Sequence, residues 1–273
     1  MVEIDLQLTM DLRDRTVLVT GAARGIGRAL ALACASAGAR VAISDMLTDE
    51  LHAVAEELGV DHVAVPCDVT EPAELQGLLA QVQETLGSVD VCFANAGIAG
   101  GTDPIETPDE VWERTYAVNV RQHVWLARLL LPGWLERGEG YFVATASAAG
   151  LLTQVGSAPY AVSKHAAVAF AEWLSVTYRD RGVRVSCLCP MGVDTAMLVP
   201  GEAGALGAAG STVVRGAGKV LDPAEVASLV LEALGDERFL ILPHPEVGRF
   251  FARKGSDYER WLGGMRRLQA TVG

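Results

Sequence analysis

The sequence predicts an α/β fold class: one Rossmann-like, doubly wound parallel sheet with helices on both faces. Three observations lead there. Short apolar runs alternate with longer segments of helical character along most of the chain. These runs are continuously apolar instead of alternating, as suits strands covered on both faces. The first of them passes through a glycine-rich turn straight into a helix. Right-handed crossovers between successive strands then wind the sheet in both directions.

The elements follow in order. "TVLVT" (16–20) reads as a buried strand, and "RGIGRALALACASAG" as a helix stopped by Gly38. "RVAISD" (40–45), a helix near 49–58, "HVAVPCD" (62–68), a helix near 72–86 and "VDVCFANAG" (89–97) continue the alternation. A long helical region is predicted over 108–137, with Thr107 as N-cap, Pro108 at the first helical position and Glu110 at the third. "GYFVATAS" (140–147) supplies a strand, "SAPYAVSKHAAVAF" (157–170) lies in a helix expected across 158–181, and "VRVSCLCP" (183–190) is the next strand. Asp222-Pro223-Ala224-Glu225 opens a capped helix near 223–234, and "RFLILP" (238–243) is the last strand.

No break in composition divides this pattern, so residues 12–245 form one domain, after a tail at 1–11 and before an extension at 246–273. Residues 196–219 are rich in Gly and Ala without clear periodicity; they read as a flexible loop or as a lid over a site. In the extension, Trp261, Leu262, Met265 and Leu268 recur at spacings that suit a docking helix or a contact between subunits.

Half of the 273 residues are hydrophobic, enough for a sizeable core, and the formal net charge is −12. An acidic balance argues against nucleic acid or an anionic membrane as partner, since both require clustered Lys and Arg. The five cysteines have no framework spacing and read as reduced thiols; Cys187 and Cys189 share one face of a strand without a nearby His or Cys, so no metal is expected. The N-terminus carries acids where a secretory signal has a basic start, and no stretch offers the roughly 18 uninterrupted apolar residues of a membrane span. The expectation is a soluble, cytoplasmic protein.

The chemistry begins at "TVLVTGAARGIGRAL". Gly21, Gly25 and Gly27 permit a tight turn and let the backbone approach a pyrophosphate, while the free amides of the following helix favour its charge. Arg24 and Ile26 sit within the same turn, and the Lys of a nucleoside-triphosphate loop is absent. The next strand ends at Asp45, whose carboxylate can accept from the ribose hydroxyls of NAD and would repel the extra phosphate of NADP. A plain strand-end or capping role for Asp45 is the alternative, and Arg24 would serve a phosphate of either cofactor.

"TGAARGIG", "CDVT" (67–70), "NAG" (95–97), Asn119 in "VNV", Ser147, "YAVSK" (160–164) and "PMGVDT" (190–195) occur in a fixed order. Together they resemble the short-chain dehydrogenase/reductase family in its single-domain form, over about residues 12–245. The resemblance implies that Asp68 and Val69 flank the adenine and that Asn95, Ala96 and Gly97 form the turn beneath the cofactor. It makes Tyr160 the catalytic tyrosine, Ser147 the substrate-orienting serine, Lys164 the holder of the nicotinamide ribose and Asn119 the support of a proton-relay water. Pro190, Val193 and Thr195 match the segment contacting the nicotinamide carboxamide. One departure is that Met191 stands where the family often has Gly, with Gly192 one place later.

Residues four apart share a helix face, so Tyr160 and Lys164 can meet, and the ammonium together with the positive nicotinamide ring is expected to lower the phenol's pKa from near 10. The reaction implied is the interconversion of a secondary alcohol and a ketone with NAD. Alternatives are an NADPH-dependent carbonyl or 3-oxoacyl reductase and a non-catalytic NAD-binding protein. Leu151, Leu152, Gln154, Met191, Met197, Leu198 and Val199 are candidate pocket residues, and their apolar character suggests a hydrophobic substrate. The resemblance further implies a homotetramer or homodimer built on the long helices near 108–137 and 158–181.

Overall fold

In the computed structural model, which describes residues 10–272, seven parallel strands form one sheet in the order β3-β2-β1-β4-β5-β6-β7. The strands are β1 (Thr16–Thr20), β2 (Arg40–Asp45), β3 (Val63–Pro66), β4 (Val91–Ala94), β5 (Gly140–Thr145), β6 (Val183–Leu188) and β7 (Leu240–Ile241). Val17 pairs with Val41 on one side and with Val91 on the other, so β1 sits where the winding reverses. In such sheets a crevice opens beyond the carboxyl ends of the strands at that reversal.

Alternate side chains of the central strands feed two cores. Leu18, Cys92 and Phe142 pack beneath the face covered by α3 (Pro72–Leu86), α5 (Gln122–Arg137) and α7 (Ala158–Tyr178). Val17, Val19, Phe93 and Val143 pack on the opposite face, against α1 (Gly25–Ser36), α2 (Thr48–Leu58) and α9 (Pro223–Gly235). Burial from both sides is why these strands lack polar alternation. All five cysteines are free and buried, and Cys187 and Cys189 lie Sγ to Sγ at 3.8 Å at the end of β6. Among the described residues no helix is long and apolar enough to cross a membrane, and no cluster of His, Cys, Asp and Glu could hold a metal ion. Most of the expected tail at 1–11 lies outside the described residues.

Several expected boundaries move. The region 108–137 is not one capped helix. Thr107 instead accepts from the Thr102 amide through Oγ1 (2.9 Å), Pro108 occupies the cap position, and α4 runs Asp109–Tyr116. A π-helical turn at Ala117–Arg121 then separates it from α5. The long helix predicted to 181 ends at Tyr178 and tightens into a 3₁₀ turn at Arg179–Arg181. By contrast, the start of α9 carries the expected capping box between Asp222 and Glu225.

Residues 196–219 are not an unstructured loop. They hold a 3₁₀ turn (Ala196–Leu198) and α8 (Ala208–Ala217), tied together where Ser211 Oγ donates to the Leu198 carbonyl at 2.7 Å. After β7 the extension forms α10 (Pro245–Ser256) and α11 (Tyr258–Gln269), which fold back on the chain's own core through Val247, Phe250 and Trp261. Within this arm Lys254 is buried: its Nζ donates to the carbonyl of Leu151 (2.7 Å), at the end of the short helix α6 (Ala149–Leu152), and lies 3.4 Å from His165 Nε2 on α7.

Candidate active site

A cavity of about 1230 Å³ opens at the carboxyl ends of the strands, over the β1/β4 reversal. Its floor is the turn between β1 and α1. Gly21 and Gly25 hold positive φ angles of 66° and 57°, which side-chain-bearing residues rarely adopt. At Gly27 a Cβ would lie 2.0 Å from the Gly21 carbonyl oxygen and 2.6 Å from Asn95 Nδ2, so the turn closes only around a hydrogen. No side chain caps the start of α1, whose first amides face the turn. These features suit the close backbone approach that a dinucleotide pyrophosphate requires.

Asn95 ties the floor to the sheet. Its Nδ2 donates to the carbonyls of Thr20 (2.9 Å) and Gly21 (3.2 Å), and its Oδ1 accepts from Thr145 Oγ1 (3.1 Å). The amides of Asn95 and Ala96 both donate to Thr20 Oγ1. At the end of β2 the carboxylate of Asp45 accepts from the amides of Ala23 and Leu47 (3.1 Å each), which fixes it at the rim.

Every residue expected around a cofactor lines this cavity: Gly21, Arg24, Gly25, Ile26, Gly27, Asp45, Asp68, Val69, Asn95, Ala96, Gly97, Pro190, Val193 and Thr195, with Tyr160 and Lys164. The departure at Met191 is accommodated by a residue not singled out in the sequence. His244, buried, accepts from the Met191 amide at Nδ1 (3.1 Å), leaving Nε2–H to donate to the carbonyls of Gly192 and Lys219. That imidazole pins the backbone after Pro190.

Ser147, Tyr160 and Lys164 meet at the middle of the cavity and all are buried. Ser147 Oγ accepts from the Ala149 amide (3.1 Å), which orients the hydroxyl at the start of α6. Lys164 Nζ donates to the Thr145 carbonyl (2.9 Å) and lies 5.7 Å from the centre of the Tyr160 ring. Asn119 stands behind them in the π-helical turn. Its Oδ1 accepts from the Ile98 amide, and its Nδ2 donates to the Ile98 carbonyl and to Ser163 Oγ. A single-turn widening of this kind often marks a functional position. One α-helical turn further on, His123 is buried against Phe142; burial, then the Lys164 charge, push its pKa down to about 3 and keep it neutral.

Burial pushes the Tyr160 phenol up, and only the Ser147 hydroxyl pulls it the other way. The Lys164 ammonium is itself destabilised by burial, down to about 8, and directs its hydrogen bond to Thr145 instead of to the phenol. In the protein alone, therefore, Lys164 does not lower Tyr160.

Of the expected pocket residues, Leu152, Gln154, Met191, Met197 and Leu198 line the cavity. Leu151 does not: its side chain packs in the core, and its carbonyl anchors Lys254. Val199 is exposed outside the cavity. Sequence reasoning missed the far wall, where Phe250 and Arg253 of α10 and Trp261, Met265 and Leu268 of α11 line the same space. The last three were visible as an apolar stripe, but their target was not.

The depressed Lys164 pKa has a consequence for stability. Between about pH 8 and 10.5 the unfolded chain holds a proton that the folded chain has released, so this group's contribution to stability rises with pH. Urea unfolding of the wild type and of Lys164→Met, compared at pH 7.5 and 10, is expected to move in favour of the wild type by roughly 1 to 3 kcal/mol as pH rises. A difference that does not change with pH would contradict the buried ammonium.

Comparison with known proteins agrees with the site. The short chain dehydrogenase family model matches residues 15–204. A 1-deoxy-11-beta-hydroxypentalenate dehydrogenase from Streptomyces exfoliatus is 41% identical over 244 residues, covering 87% of this chain and 86% of that protein. A 3beta-hydroxysteroid dehydrogenase 2 from Eggerthella lenta is 31% identical over 235 residues, covering 83% of this chain and 90% of that protein. The crystal structure of a short chain dehydrogenase/reductase from Burkholderia phymatum in complex with NAD superposes with a TM-score of 0.83 at 29% identity, covering 92% of this chain and 96% of that one. With a glycine turn, a buried Ser-Tyr-Lys group and this similarity along most of its length, the chain belongs to the short-chain dehydrogenase/reductase family.

Proposed function

We propose that this protein interconverts a bulky, apolar secondary alcohol and its ketone using NAD, with Tyr160 as the general base and acid. The observation that carries the reading is the meeting of Ser147, Tyr160 and Lys164 at the middle of one cavity. The glycine turn and Asp45 stand at one end of that cavity, and apolar side chains dominate the other. The hydroxypentalenate and hydroxysteroid dehydrogenases among its relatives bear names of bulky, largely apolar alcohols, which supports the substrate class.

Bound NAD supplies the hydride acceptor and a positive ring near Tyr160. The chain's own residues do the rest. Tyr160 takes the proton of the alcohol hydroxyl in oxidation and returns it to the carbonyl oxygen in reduction. Ser147, held by the Ala149 amide, donates to the same oxygen and steadies its developing charge. Lys164 would hold the ribose hydroxyls of the bound cofactor, and its charge would favour the phenolate there. Asn119, which shapes the backbone at Ile98, supports the path by which the proton leaves.

Asp45 favours NAD, because a carboxylate fixed at the end of β2 would accept from ribose hydroxyls and repel the 2′-phosphate of NADP. A second reading, use of NADP, draws on Arg114, which lines the same end of the cavity and reaches Met46, with its guanidinium 3.9 Å from the sulfur. For assembly, α7 exposes Val162, Trp173 and Val176 along one side, an apolar stripe that suits burial in a homodimer or homotetramer.

Three measurements test these points. Tyr160→Phe should retain NADH binding by fluorescence titration and lose activity by about 10²- to 10⁴-fold, the usual range for a lost acid–base group; turnover near the wild-type rate would remove Tyr160 from the mechanism. In the unmutated protein kcat/KM should favour NAD over NADP by about tenfold or more, an advantage that Asp45→Ala erodes; an initial preference for NADP would overturn the cofactor assignment. Sedimentation velocity at micromolar concentration should give a dimer or tetramer, and a monomer would refute the role assigned to α7.

A further inference from the structure

The far end of the cavity is built by residues 149–154, 191–217 and 250–272, and its lining is almost wholly uncharged. The three acids that line the cavity, Asp45, Asp68 and Glu110, come from the end of β2, the turn after β3 and the start of α4. None comes from the far segments. These contribute a single ionisable side chain, Arg253, among apolar neighbours such as Leu152, Met197, Phe250 and Met265.

The position of Arg253 is set by its neighbours on α10. Lys254 is locked to the Leu151 carbonyl and sits beside His165 on the helix that carries Tyr160 and Lys164. Phe250 lies three residues before Arg253, so the two share a helix face, and both line the cavity. Arg253 forms no salt bridge with any described acid. Asp257, one turn later, already accepts from the Arg260 amide (3.0 Å) as the cap of α11. Arg253 is thus an exposed guanidinium at the mouth of an otherwise apolar chamber, anchored through the backbone next to it.

From this arrangement we infer that the substrate is an apolar alcohol bearing a carboxylate away from the reacting hydroxyl, and that Arg253 is the residue that selects for that carboxylate. The inference deepens the proposed dehydrogenase activity and rests on it. A guanidinium presents two parallel donors to a carboxylate, and one such group matches one negative charge. The apolar walls accept the ring or chain system between hydroxyl and carboxylate, and their lack of acids leaves the anion unopposed. Since the contact is made equally in the ground state and in the transition state, it should act on KM and leave kcat alone.

The test uses the full-length protein with saturating NAD and pairs of substrates differing only in charge: lithocholate and its methyl ester, and 4-hydroxycyclohexanecarboxylate and its methyl ester. NADH formation gives kcat and KM for each. The wild type is expected to prefer the acid of a pair by about tenfold or more in kcat/KM. Arg253→Ala should raise KM for the acid by a similar factor while changing kcat less than twofold, Arg253→Lys should recover part of the loss, and Arg253→Glu should reverse the preference. Equal use of acid and ester by the wild type, or an equal KM rise for both in Arg253→Ala, would overturn the assignment of Arg253 and leave the dehydrogenase reading standing. Turnover of no member of either pair would count against that underlying reading as well.

Discussion

One close approach on which the rest of the structure depends is that between the glycine turn and the loop following β4. Gly27 has no room for a Cβ against the Gly21 carbonyl, and Gly21 has none against the Ala96 backbone, 2.6 Å away. Thr20 and Asn95 hold this contact closed with buried hydrogen bonds. Such bonds are strongest in a dry interior, where leaving a partner unmade is also most costly. Because the winding reverses between β1 and β4, the cavity opens above this point, and Tyr160 on α7 and Ser147 after β5 line it.

Burial governs the chemistry of that centre. The same desolvation that raises the phenol lowers the ammonium, so burial disfavours the charged form of both groups, and neither donates to the other. A buried lysine hydrogen-bonded to a backbone carbonyl is a cation held without a counter-ion, which leaves it responsive to whatever occupies the cavity. Preorganisation here lies in position more than in a charge state already set: Ser147, Lys164 and Asn119 each have a fixed partner in the protein frame.

Much of this was legible in the sequence. Strands buried on both faces have a continuous apolar signature, and glycine in a strand-to-helix turn has a steric reason visible from spacing alone. The Asp222 capping box was readable because all of its partners lie within four residues. Other features depended on distant contacts. The π-helical turn at Asn119 interrupts a helix whose composition gives no sign of it, and Thr107 abandoned its expected capping role for the Thr102 amide. Gly210, Gly216 and the β-branched run Thr212-Val213-Val214 masked α8, because low intrinsic propensity hides a helix that tertiary contacts such as Ser211 to Leu198 sustain. Leu151 and Leu152 are neighbours of similar character, and only the placement of one short helix decides that the first packs inward and the second lines the cavity. In the protein alone the Tyr160 phenol lies above its ordinary value, because burial acts through the whole surroundings of a group, which a pentapeptide does not contain.

The terminal arm is joined to the rest of the molecule in an unusual division of labour. It touches the core through Val247, Phe250 and Trp261 and is fastened by Lys254, while α11 contributes no buried residue at all. Its exposed members, Arg253 and Leu268 among them, tolerate replacement with changes in stability usually within about 0.5 kcal/mol. The wall facing the substrate can therefore drift by single substitutions while the glycine turn, the sheet and the Ser-Tyr-Lys centre stay intact. The shape and charge of that wall can thus change independently of the turn and the cluster around which the rest of the cavity is built.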